Sequence, residues 1–172
     1  MRVRERVLDL LFPPKCPFCQ KILAEPRAPV CPECRPGLPW LEGAAAERQV
    51  DFADGCFSPL AYRGTVPQAV HRYKFSRVRA LGRPFAALMA RCLSDRLPEG
   101  ADLLCWAPLS KKRLRERGFD QAELLAREVG RLLSVPAVPT LEKTRNTAPQ
   151  SELEEASARR AYHNRSEELR GG

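Results

Sequence analysis

Two Cys-x-x-Cys pairs constrain this chain more than any other feature: Cys16-Pro17-Phe18-Cys19, an intervening segment of eleven residues, then Cys31-Pro32-Glu33-Cys34. Each pair delivers two thiolates from one tight turn. Two such turns place four sulfurs where a tetrahedral Zn²⁺ takes them, at about 2.3 Å each. Cys16, Cys19, Cys31 and Cys34 are therefore the expected metal ligands, and structural zinc the expected cofactor. Four thiolates fill the coordination shell and leave no position for an activated water, so catalysis at this metal is not expected. About forty residues with little apolar content need such a metal to fold.

The other three of the seven cysteines, Cys56, Cys92 and Cys105, lie in apolar stretches and read as buried small hydrophobes. An odd total in a chain without a secretory signal argues against a disulfide framework. Residues 2–12 place Val3, Val7, Leu10 and Leu11 on one side of a short helix that Pro13 and Pro14 stop. This segment is too charged for a signal peptide, and no apolar run approaches the ~20 residues of a membrane span. A cytoplasmic location is expected.

A domain boundary is expected after the ribbon. Residues 1–40 carry the N-terminal helix and the cysteine pairs, 40–50 read as a linker rich in Gly and Ala, and a second domain spans 51–172. In that domain a strand is expected around Phe57 and 59–62, with a turn at Arg63-Gly64, and helices over 66–73 and 81–97. Residues 102–107 read as a short buried strand that Pro108 ends by removing a backbone donor. The basic run Lys111–Arg117 reads as a loop, and Gln121–Leu133 as an amphipathic helix with Leu124, Leu125, Val129, Leu132 and Leu133 at helical spacing. A proline-rich edge strand over 135–141 and a helix over 152–162, with Ser151 as its N-cap and Glu154 completing a capping box, close the order. Strand, basic loop and helix make half of a βαβ unit, whose strand ends and helix starts are the usual seats of anions.

A net charge of +8 and a pI near 9.4 favour polyanionic partners. High arginine usage could also reflect only genome base composition, and Lys111–Arg117 could be a solvated helix start. Cations crowded before a helix argue for an anionic ligand instead, and Gly118 permits close backbone approach to a phosphate. A second mixture of cations and rings, residues 72–77, reads either as a nucleic-acid surface or as a helix end with its rings turned inward. Neither His71 nor His163 stands near a nucleophile, so no catalytic residue is assigned.

The segment Pro108-Leu109-Ser110 through Arg117-Gly118-Phe119-Asp120-Gln121 resembles the signature of the ComF (competence protein F) family, zinc-ribbon proteins related to type I phosphoribosyltransferases. Asp120 stands where that signature has Asn, and Ser110 where it often has His. Lys74-Phe75 and the basic segment from Thr147 to Gln150 also resemble the family, as do Arg160 and Asn164. The resemblance implies a zinc ribbon followed by a type I phosphoribosyltransferase-like α/β domain with a mostly parallel sheet. It implies a role in DNA uptake during natural transformation, with single-stranded DNA and the uptake machinery as partners. Lys74, Lys111, Arg113, Arg117, Gly118, Gln121, Arg145 and Gln150 are the residues expected to meet phosphate or nucleic acid. The family's acidic pair and Thr-rich loop for phosphoribosyl pyrophosphate (PRPP) have no counterpart, because Glu154-Glu155 and Glu167-Glu168 lack the preceding apolar strand. A domain truncated before that loop is expected, with PRPP, Mg²⁺ and transferase activity reserved for a complete chain.

Overall fold

The computed structural model describes residues 13–25, 28–51, 53–76 and 78–143. The chain divides into two compact units, Met1–Glu142 and Lys143–Gly172, and Lys143 alone is described in the second. The helices expected over 2–12 and 152–162, together with Arg145, Gln150, Arg160, His163 and Asn164, lie outside the described residues.

The two cysteine turns come first. Lys15 pairs with Ile22 in an antiparallel bridge around the first, and a 3-10 turn, Arg35–Gly37, follows the second. Residues 40–50 are not a linker. They hold the 3-10 turn Gly43–Ala46 and strand β1 (Glu47–Val50), which pairs antiparallel with β2 (Ala53–Phe57) across a bulge between Arg48 and Val50. A second bridge, Trp40 to Leu60, ties the same segment to the chain beyond β2. Gly64, at φ +61°, makes the turn expected there and leads into helix α1 (Val66–Phe75).

Helix α2 (Gly82–Arg96) follows a 3-10 turn, Arg79–Leu81, and α4 (Gln121–Leu133) occupies the predicted span. Between them the basic run forms a helix of its own, α3 (Lys111–Arg117), rather than a loop. Ser110 caps its start by accepting from the Arg113 N–H at 3.4 Å, and Gly118, at φ +80°, ends it in the left-handed conformation glycine tolerates best.

Among the described residues β1–β2 is the only sheet, so the expected mostly parallel sheet is not seen. Its parallel part is one bridge, Leu104 to Ala137, in which the Leu104 N–H donates to the Pro136 carbonyl and the Val138 N–H to the Leu104 carbonyl. Pro136 and Pro139 have no N–H to extend this ladder. With so short a pairing, residues 102–107 are not buried: Leu103 is 47% exposed and Cys105 is also exposed. Cys56 is exposed as well, because among the described residues no layer covers that face of the two-stranded β1–β2 ribbon; of the three cysteines read as core, Cys92 alone is buried.

Three apolar clusters hold the described chain. The largest joins the ribbon to the helices: Cys16, Phe18, Leu23, Val30, Cys31 and Leu38 pack with Val66 and Ala69 of α1 and Leu88 of α2. Tyr73, Leu81 and Phe119 form a second with Leu124 and Leu125 against them, and Ala86, Ala90 and Val129 seat α2 on α4 in a third.

Candidate functional site

The first cysteine turn is built by its own backbone. The Gln20 N–H donates to the Cys16 carbonyl at 3.0 Å, the Cys16 N–H to the Lys21 carbonyl at 2.9 Å, and Gln20 takes φ +66° to let the chain reverse. Its side-chain amide donates to the carbonyls of Cys16 and Pro17 and locks the reversal. The second turn closes through the Arg35 N–H to the Cys31 carbonyl and the Gly37 N–H to the Cys34 carbonyl, each at 3.1 Å. Together they bring the four Sγ atoms within 4.8 Å of one another. Cys19 Sγ and Cys31 Sγ stand 3.6 Å apart, far beyond a disulfide at about 2.05 Å. Four sulfurs at 2.3 Å from one ion would be separated by about 3.8 Å, so the spacing fits a tetrahedral thiolate site.

The electrostatics agree with the geometry. Burial opposes the Cys16 thiolate, but backbone hydrogen bonds from Cys19, Cys31 and Phe18 outweigh it and bring the thiol down to about 7. Burial pushes the Cys31 and Cys34 thiols up, and the Cys19 and Cys16 thiols add to the rise of both. Four thiols gathered this closely compete for negative charge, a conflict that a bound cation removes. Bound there, the ion would cross-link the two turns. It would have no open position for substrate.

α1 ties this centre to the signature segment. Arg72 donates through Nη2 to the Pro17 carbonyl at 2.6 Å and the Phe18 carbonyl at 3.3 Å, fixing the first turn from behind. The next residue, Tyr73, donates its hydroxyl to the Gln121 carbonyl at 2.8 Å, and the carbonyl of Lys74 accepts from Gln121 Nε2 at 3.1 Å. Burial pushes the Tyr73 hydroxyl pKa above its ordinary value, and the Asp120 charge adds to it.

The signature residues divide by role. Phe119 is core, and Asp120 is the N-cap of α4: Oδ1 accepts from the N–H groups of Ala122 (2.9 Å) and Glu123 (3.2 Å), while Oδ2 accepts from the Leu109 N–H at 2.8 Å and so closes the loop around α3. Gln121 is buried with both ends of its amide engaged, since Oε1 accepts from Arg117 Nη1 at 3.2 Å. The Arg117 guanidinium also lies over the Phe75 ring, 5.1 Å from its centroid, and Phe75 is 51% exposed. Lys74, Arg117 and Gln121 thus meet at the C-terminal end of α1, and Gly118 follows Arg117 in the chain. Lys111 and Arg113 sit on the first turn of α3, about 10 Å and about 8 Å along its axis from Gly118. Sequence reasoning did not assign Tyr73 or Asp120 to this junction. For Asp120 the signal was present, a helix-capping side chain directly before an amphipathic run.

Ribbon geometry and four convergent thiols define the N-terminal part as a zinc-ribbon module. Residues 7–48 match the family model described as a double zinc ribbon domain. The matched span holds four cysteines and no histidine, enough for one four-thiolate centre. No curated protein and no solved structure matches the chain. No helix among the described residues is long and apolar enough to cross a membrane.

Proposed function

We propose that the chain is a zinc-stabilised, single-stranded nucleic-acid-binding protein of ComF type that handles incoming DNA in the cytoplasm during natural transformation. The observation that supports it most is the junction of α1 and α3. An exposed ring, Phe75, carries the Arg117 cation on its face, with Lys74 beside it and the basic α3 leading away. Stacking rings between cations is how sequence-tolerant single-strand binders hold bases and backbone together. Zinc is the ion assigned to the four thiolates, and its part is to hold α1 in place through Arg72. The signature from Pro108 to Gln121 supports placing this binding in DNA uptake.

The test is a titration of fluorescent oligo-dT at several salt concentrations. Contacts to three phosphates predict a log–log slope of about −2. Arg117→Ala should weaken binding and flatten the slope by about 0.7. Affinity that does not change with salt would remove this reading.

A second reading, phosphoribosyl transfer from PRPP with Mg²⁺, draws support from the parallel pairing of Leu104 with Ala137 across a helical crossover. Lys111, Arg113 and Arg117 would then stabilise the leaving pyrophosphate. Millimolar PRPP with Mg²⁺ should raise the melting temperature if this holds, and an unmoved melting curve excludes it for these 172 residues.

A further inference from the structure

A cleft of about 360 Å³ opens between the segment after the second cysteine turn and α2. Its apolar surface comes from Trp40, Leu41 and Pro59 over a floor at the buried Leu88, and its charged lining from Arg35, Arg91 and Arg96 with Glu42 and Asp95. The walls are held by the fold: the Trp40 indole N–H donates to the Arg35 carbonyl at 2.8 Å, the Leu41 N–H donates to the Pro59 carbonyl at 3.0 Å, and Leu88 belongs to the ribbon–helix core. Helix α2 spends Ala86 and Ala90 on α4, whereas Leu88, Arg91, Asp95 and Arg96 recur at helical spacing along the cleft.

No described residue accepts a hydrogen bond or forms an ion pair with the guanidinium of Arg35, Arg91 or Arg96. Asp95 stands four residues after Arg91, the spacing at which helix ion pairs commonly form, yet the two do not pair. Three guanidiniums against the two carboxylates of Glu42 and Asp95 leave an excess positive charge around a fixed apolar wall. Guanidinium forks match the planar oxygens of phosphate and carboxylate. A cleft this size falls within the range of small-ligand sites.

We propose that this cleft is a binding site for a small organic anion, a flat ring bearing a phosphate or a carboxylate. The ring lies against Trp40 and Leu41, the anionic group is held by Arg91 and Arg96 with Arg35 closing from the ribbon side, and Glu42 and Asp95 accept from any donors the ring carries. The site is separate from the Phe75–Arg117 junction and does not depend on nucleic-acid binding there.

The test is calorimetric titration of the zinc-loaded full chain with AMP and with benzoate, using adenosine and inorganic phosphate as the ring-only and anion-only controls. One charged ring should saturate below about 1 mM, with both controls at least about tenfold weaker. Saturation by AMP assigns a phosphate ligand, and saturation by benzoate a carboxylate. Arg91→Ala and, from the ribbon side, Arg35→Ala should each weaken that probe about tenfold at unchanged metal content, with Arg91→Lys between. Both arginines are exposed, so neither variant removes core packing. The proposal is overturned if neither charged ring saturates below about 1 mM, if a control binds as tightly, or if the arginine variants bind like the parent chain.

Discussion

Asp120 shows how one side chain can hold a whole junction. It caps α4 with one oxygen and anchors Leu109 with the other, so Asp120→Ala should cost about 1–2 kcal/mol in urea unfolding. Asp120→Asn keeps the capping oxygen but turns a donor toward the Leu109 N–H, and its loss should fall between the two. Tyr73 gives a pH-dependent counterpart. Its folded-state pKa is raised by burial, so its contribution is intact below the ordinary value near 10 and is lost as pH rises beyond it toward the folded value. Tyr73→Phe should therefore be less stable than the parent chain by about 1 kcal/mol at neutral pH, and the gap should narrow in melts above pH 10. A gap that stays constant into the alkaline range would contradict this. The four metal ligands were legible from spacing alone, because a chelating turn is local. The partners of Tyr73 and Gln121 were not, because they meet across 47 and 48 residues of chain.

At the scale of elements, α4 was readable end to end: its apolar residues recur at helical period, and Asp120 before it is a capping residue. β1 was not readable, and β2 was read only at its end, Phe57, because both are short and mostly exposed and so lack the alternation that marks a half-buried strand. The basic run hid a helix for a related reason. Cations oppose the dipole at a helix start, but the Ser110 cap and the Gly118 stop bound one short helix that carries them. Packing of α4 on the extended segment after it depends on Gly130, where a Cβ would stand 2.5 Å from the Val135 carbonyl oxygen and 3.3 Å from Ala137 Cβ. Backbone cannot yield as a side chain does. Gly130→Ala should thus destabilise the chain by about 1–3 kcal/mol despite alanine's better helix propensity, with amide exchange accelerated at Leu104 and Val138.

For the molecule as a whole, a boundary after the ribbon was expected, and a shared core is what the described residues show. Two of the four thiol residues, Cys16 and Cys31, are members of the same buried cluster as Val66, Ala69 and Leu88. Composition could not reveal this, because the apolar residues of the ribbon are few and their helical partners lie far along the chain. Cys19→Ser should abolish metal retention, measured as zinc per chain, and should also lower the helical circular-dichroism signal as α1 loses its support; zinc unchanged at one per chain would contradict the four-thiolate centre. The shared core also bears on how long the protein survives. Removing the metal from the four thiols should loosen the apolar cluster that Cys16 and Cys31 share with α1 and α2, and so open both ribbon and helices to proteases. Metal supply would then set the lifetime of the whole fold and not of the ribbon alone.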